Sequence, residues 1–371
     1  MTLRQRLIET LRGGPADRVP FILDDFCFVS RREVDRIADP LRRDVAERAY
    51  SHCAGFLHWP SHVNRYLVTP PQFVREVKRE VCDGVVTVTS EIATPRGTLT
   101  AITSENPITR TIWTVRYPVE TRDDIERILS LPWELPTDLK PPDRSTLPPG
   151  FENRALFQTS VSSPFVCVAG MMPYQIFLER CADDLPLVKH LTDVCFDRIR
   201  RILDVLLAES GVIDYVWMGG CEWLTPPMAS PRLYEELVQP YEAKIIERVH
   251  AAGALCHVHC HGNVRSTLER VIERGADFFE PVEPPPDGDI TFAEAKRISA
   301  GRITLGGNIE ARVVENEDTD AVEQAVRAAF EGGSERMILK TTAGLYRKMT
   351  PHIHRNYHRL IAVWEQLSPT G

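Results

Sequence analysis

The 371-residue sequence has no block of lysines and arginines, no apolar run near membrane-spanning length and no glycine-rich phosphate cradle. Each absence removes a class of function. The 44 Lys and Arg are outnumbered by 52 Asp and Glu, giving a net charge of −8. Without a basic face, a nucleic-acid partner is not expected. No apolar stretch reaches the roughly 18 residues of a membrane-spanning helix, so no membrane association is expected. Residues 1–12 read as a polar amphipathic helix rather than a signal peptide. No GxGxxG or GxxxxGK(S/T) follows a candidate strand, so the common nucleotide cradles are missing. The nine cysteines are an odd number without disulfide-scaffold spacing. They read as reduced, mostly buried thiols in a cytoplasmic protein. What is present is an ordinary globular mix, 43% hydrophobic and 26% charged, long enough for one large domain or two ordinary ones.

Residues 2–11 carry a helix signal that stops at Gly13-Gly14, and residues 20–24 read as a short buried strand leading into Asp24-Asp25. Residues 81–115 alternate β-branched and polar side chains around a turn at Pro95-Arg96-Gly97, the pattern of antiparallel hairpins. Residues 132–149 are proline-rich and read as a linker or surface excursion. From residue 155 the pattern changes. Candidate strands at 155–159, 215–218, 255–259, 278–280, 303–305 and 337–339 alternate with candidate helices at 185–207, 231–252, 264–274, 292–299 and 319–330. Ser230, Thr291 and Asp318 are candidate N-caps. Such alternation means βαβ units and a parallel sheet. With the strand near Phe21, the units approach the eight that close a barrel; a doubly wound open sheet is the alternative.

In a (β/α) barrel, chemistry sits where strands run out into the following loops. The most polar of these ends is Cys256-His257-Val258-His259-Cys260-His261-Gly262-Asn263. Alternation puts His257, His259 and His261 on one face and Cys256, Val258 and Cys260 on the other. The H-x-H pair His259 and His261 is spaced to reach one metal, and imidazole suits zinc, iron, nickel or copper. Hydrogen-bonded mouth histidines that bind substrate anions fit the same pattern. The preceding strand ends in Gly219-Gly220-Cys221-Glu222, so Glu222 can complete a three-ligand set with His259 and His261. It equally fits a loop carboxylate paired with an arginine. Glu280 and Glu283 lie on a proline-stiffened loop suited to positioned acids or substrate contacts. Asn308 follows Gly306-Gly307, and Lys340 opens a hydroxyl-rich strand end. Trp59, Trp113 and Trp223 read as ordinary packing, and His352, His354 and His358 as surface or capping residues of the final helix.

At these residues the chain resembles the uroporphyrinogen decarboxylase superfamily, which also holds zinc-dependent corrinoid and thiol methyltransferases. The resemblance runs through Leu11-Arg12-Gly13-Gly14, Asp17-Arg18-Val19-Pro20, Thr94-Pro95-Arg96-Gly97-Thr98-Leu99, residues 231–241, His259 to Asn263, Gly275-Ala276-Asp277, Gly307-Asn308-Ile309 and Thr350-Pro351. It implies an α/β fold, a (β/α)8 TIM barrel with an N-terminal α/β-hairpin elaboration. It also implies one barrel domain over residues 1–371, with 60–150 as an inserted hairpin and linker region. The decarboxylases of the family carry an arginine-rich motif after the first strand; here Asp24-Asp25-Phe26-Cys27-Phe28 stands there, which disfavours a tetrapyrrole with eight carboxylates. The zinc methyltransferases use a His-x-Cys pair before Gly-Asn and a late cysteine. His259 keeps the first position, His261 replaces the second and Ala343 the third.

The resemblance therefore implies a methyltransferase-like enzyme nearer the methyltransferase branch. Its expected metal is a divalent transition ion, zinc first among them, held by Glu222, His259 and His261. Glu222, His257, Glu280 and Glu283 are the expected catalytic residues, and Asp25, Asn263, Asn308 and Lys340 the expected substrate contacts. A small methylated compound is the expected substrate and a separate corrinoid protein the expected partner; a homodimer is compatible with this. A metal-free decarboxylase or lyase acting on a small carboxylate is the alternative, and a non-catalytic binding barrel the second.

Overall fold

The computed structural model describes residues 1–109 and 111–369; Arg110, inside the expected hairpin region, lies outside them. Twelve strands form two sheets. The first combines β1 (Phe21–Ile22), β2 (Gly55–His58), β7 (Ala155–Ser162), β8 (Tyr215–Gly219), β9 (Leu255–His259), β10 (Phe278–Glu280), β11 (Thr304–Ile309) and β12 (Met337–Thr341). All its pairs are parallel, in the order β1-β12-β11-β10-β9-β8-β7-β2. A parallel bridge from Phe21 to Cys53, just ahead of β2, joins the two ends of the curled sheet. Strand order thus selects the (β/α)8 barrel over the open doubly wound sheet. The second sheet is antiparallel, β3 (Val74–Cys82), β4 (Val85–Thr94), β5 (Gly97–Glu105) and β6 (Ile112–Arg116). It begins seven residues ahead of the alternating stretch read from the sequence.

Five of the six late strands and the helices Phe292–Ser299 and Thr319–Phe330 lie where their periodicity places them, with β7, β8 and β12 running slightly longer. β11 is displaced, starting at Thr304 and running on to Ile309. Thr291 forms a capping box with Glu294, and Asp318 accepts from two backbone amides. One reading fails locally and one strand was not read. The expected helix at 231–252 is two helices, Pro231–Leu237 and Gln239–Ala251. Pro240 lacks the amide that would continue the first helix into the second. β2 carries no alternation of its own and is a strand because β7 pairs with it.

The barrel interior is graded. At the strand starts, Ile22, Leu156, Tyr215, Leu255, Phe278 and Ile338 pack against Leu7 and Leu11 of the N-terminal helix Leu3–Leu11. That helix closes the lower end of the barrel. Thr304 Oγ1 donates to Thr10 O (2.8 Å), and Arg4 pairs with Asp214 (2.5 Å). Above this apolar plug the inward positions turn polar. The outer faces of the same strands, including Cys256, Val258 and Cys260, pack with the helices and are fully buried. Seven of the nine cysteines are buried and all are free.

Candidate active site

A cavity of about 550 Å³ opens above the plug, lined by Asp24, Cys27, Gln158, Tyr215, Trp217, His257, His259, His261, Glu280 and Lys340 among others. Parallel register builds its floor. His259 on β9 lies beside Glu280 on β10, and Trp217 on β8 beside His257. Gly306 on β11 lets the neighbouring side chains in. A Cβ there would come within 2.5 Å of the Phe278 ring and 2.7 Å of Glu280 Cβ.

Glu280 is the centre of the site. His259 Nδ1 lies 2.6 Å and His257 Nε2 2.9 Å from its Oε1. Lys340 Nζ lies 3.3 Å from Oε2 and pairs with Asp24 at 2.6 Å. Burial opposes charge on Glu280, but Lys340, His259 and His257 outweigh it and hold the carboxyl well below its usual range. Burial also opposes the Lys340 ammonium, and Asp24 and Glu280 more than restore it. Burial pushes His257 down to about 4, so it is a neutral imidazole at physiological pH. The apolar plug beneath strengthens each of these interactions by lowering the local dielectric.

The ligand atoms of His257, His259 and Glu280 lie within 4.8 Å of one another. Nδ1 of His257 is buried without a hydrogen-bond partner, and Oε2 of Glu280 is met only by Lys340 at 3.3 Å. Orphaned buried donors and acceptors call for an occupant. Two imidazoles and a carboxylate fit a divalent first-row metal.

Among the described residues, the expected ligand set Glu222, His259 and His261 does not converge. β8 ends at Gly219, and Gly220 (φ 106°) turns the chain into a 3-10 turn. Glu222 therefore sits with Cys221 and Cys260, its Oε2 buried and unpartnered. β9 stops at His259, so the alternation that would align His261 with His257 is broken. His261 still borders the cavity, ring to ring with His259 (4.6 Å). Its Nδ1 pairs with Glu283 at 2.8 Å. Burial works against the imidazolium, but Glu283 raises His261 overall. Glu283 also accepts from Gly262 N (2.7 Å), which makes it a brace for the loop.

The remaining expected residues divide. Lys340 lines the cavity. Asn308 is paired in register with it, buried, with Oδ1 unpartnered. Asp25 lies outside the cavity, bonded to Arg42 (3.1 Å) and to Leu345 N (2.5 Å). Asn263 does not line the cavity. Trp113 is two-thirds exposed, and none of Trp59, Trp113 and Trp223 lines the cavity; Trp217 does. Two further residues join the site. Asp24 follows β1, which pairs with β12, and so meets Lys340. Glu310 accepts from Thr342 Oγ1 (3.3 Å) at the cavity wall; burial, then Glu283 and Asp287, push it up to about 7.

The uroporphyrinogen decarboxylase (URO-D) family model matches residues 150–359, more than half of the chain and every element from β8 to β12. The chain belongs to the uroporphyrinogen decarboxylase family. A methyltransferase from Methanosarcina mazei shares the fold, with a TM-score of 0.60 over 99% of both chains at 14% identity. A B12-independent methionine synthase from Shewanella sp. W3-18-1 aligns over 98% of this chain and 86% of its own, with a TM-score of 0.42 and 10% identity. No curated protein matches significantly in sequence. Family members are enzymes, and the cavity lies at the barrel end where this uroporphyrinogen decarboxylase-like fold carries its chemistry. Among the described residues, no helix is long and apolar enough to cross a membrane.

Proposed function

We propose that His257, His259 and Glu280 hold a divalent metal, zinc by preference, and that the protein transfers a methyl group from a small methylated compound to a corrinoid protein or another acceptor. The convergence of these three donors on the cavity floor, with a buried unpartnered nitrogen on His257, carries the reading. A metal held there supplies a Lewis acid that takes up charge on the heteroatom losing its methyl group. The chain's own residues prepare the site. Lys340, itself held as an ammonium by Asp24, keeps Glu280 anionic, and burial keeps His257 neutral, the form in which imidazole ligates. Trp217, 5.0 Å from the His259 ring, walls the cavity on one side. A volume of about 550 Å³ accommodates a small substrate. Protein purified without added metal is expected to carry about one equivalent at this site; His259→Ala with Glu280→Gln removes it. Full occupancy in that double variant would refute the ligand set.

A second reading, a metal-free decarboxylase or lyase acting on a small carboxylate, rests on Lys340 and Glu310. Lys340 already supplies a cation to Glu280, and Glu310, titrating near neutrality, reaches the cavity wall through Thr342 as a proton donor. Turnover of a carboxylate unaffected by chelators would favour it over methyl transfer.

A further inference from the structure

The helix Pro40–Tyr50 packs beside the final helix, Pro351–Leu367. His354 and His358 stand four residues apart on the final helix and so share a face, the spacing at which two helical imidazoles chelate one metal. Both rings aim Nε2 at one oxygen of the facing helix. His354 Nε2 lies 2.7 Å and His358 Nε2 2.9 Å from Asp44 Oδ2, and the two nitrogens are 3.1 Å apart. A cation about 2.0–2.2 Å from each of three such donors needs them roughly 3 Å apart, close to this triangle. With no cation, both Nε2 atoms crowd onto one carboxylate oxygen and onto each other.

We propose that Asp44, His354 and His358 form a surface site for a divalent first-row cation of the zinc, nickel or copper class. Asp44 is 61% exposed and the two imidazoles 21% and 27%, so water can complete the coordination shell. Arg48 faces the far side of His358, 3.2 Å from Nδ1 and 3.1 Å from the carbonyl oxygen. With a cation on Nε2 the ring proton passes to Nδ1, and Arg48 keeps the carbonyl contact alone. That cost weakens the site without closing it.

A bound cation staples two segments about 310 residues apart in sequence. The same helix carries Arg42, which grips Asp25, and Asp25 accepts from Leu345 N just before the final helix. The staple therefore braces, from outside, the β1–β12 seam that positions Asp24 and Lys340.

The test uses the full chain with His259→Ala and Glu280→Gln, so that the barrel mouth does not contribute. Equilibrium dialysis against Zn²⁺ is expected to load one equivalent and to raise the melting temperature. Adding His354→Gln and His358→Gln is expected to abolish both effects; Asp44→Asn, which keeps the interhelical hydrogen bonds, is expected to weaken them. In the wild-type protein, Ni²⁺ is expected to broaden the His354 and His358 imidazole signals. Equal zinc uptake with and without the two histidines would overturn the site, as would a folded parent that takes up no zinc. A Ni²⁺ titration that leaves both rings sharp would do the same.

Discussion

Replacing Lys340 by methionine tests the electrostatics of the candidate site. The ammonium is nine-tenths buried, 2.6 Å from Asp24 and 3.3 Å from Glu280, whose side chain is 2% exposed. Methionine fills a similar volume and leaves two carboxylates facing each other across the cavity floor. Removing one partner of a buried ion pair costs about 3–5 kcal/mol, because the other charge stays behind desolvated. At about 2.1 cal/mol/K of unfolding entropy per residue, that is a fall of roughly 4–6 °C in melting temperature for a chain of this length. The pH dependence sets this variant apart from a packing defect. In the wild type, Glu280 has a depressed carboxyl, so its stabilisation is present above the unfolded value and lost as pH falls. In the variant the carboxylates rise above their unfolded values, so acid favours the folded state. The deficit is therefore large at pH 7.5 and shrinks toward pH 5. Thermal melts of both proteins at the two pH values provide the comparison. A deficit that is absent, or equal at both pH values, would refute the ion-pair account.

Other perturbations follow from the same geometry. Glu310→Gln removes a carboxyl lifted to about 7 from 4.5, whose burial costs stability as pH rises between those values. At about 1.36 kcal/mol per unit, the variant should gain up to about 3 kcal/mol at pH 8 and nothing at pH 4, read from denaturant melts. Glu283→Gln should lower the His261 pKa, measured by the imidazole shift in NMR titration, because Glu283 raises it. The stability this pair contributes is present below the unfolded value near 6.5 and lost as pH climbs through the folded one. Gly306→Ala forces a methyl against Phe278 and Glu280; overpacking of this kind costs about 1–3 kcal/mol and should displace Glu280 enough to lower metal retention. Arg274→Met leaves Glu242, 2.6 Å away, 1% exposed and already pushed up by burial, without its buried cation. It should destabilise by about 3–5 kcal/mol while leaving metal content unchanged.

The barrel was legible because its late strands and helices have clean periods, and because helix caps such as Thr291 and Asp318 mark their own starts. β2 was not, since a four-residue strand next to a tight turn takes its conformation from β7. The candidate site was legible as a set of strand ends, and His257, His259, Glu280 and Lys340 meet because each lies at or near the end of its strand with its side chain in the cavity. The alternation that would bring Glu222 and His261 to the mouth runs three residues past the end of β8 and two past the end of β9. A left-handed glycine at 220 and the end of pairing at His259 broke it, which sent Glu222 to Cys221 and Cys260 and His261 to Glu283. Asp24 was visible in the sequence, but its pairing with Lys340 depends on β1 lying against β12, a long-range contact that local pattern does not carry. The Asp44, His354 and His358 cluster was hidden likewise. The helical spacing of the two histidines was readable, and the facing carboxylate comes from a helix some 310 residues earlier.

The most direct test of the central claim is the metal content of protein carrying His354→Gln and His358→Gln, purified without tag or added metal, against the same protein with His259→Ala and Glu280→Gln. The account predicts about one equivalent of zinc or a related divalent ion in the first protein and none in the second, with both folded. Equal metal in the two, or none in the first together with turnover insensitive to chelators, would contradict a metal held by His257, His259 and Glu280.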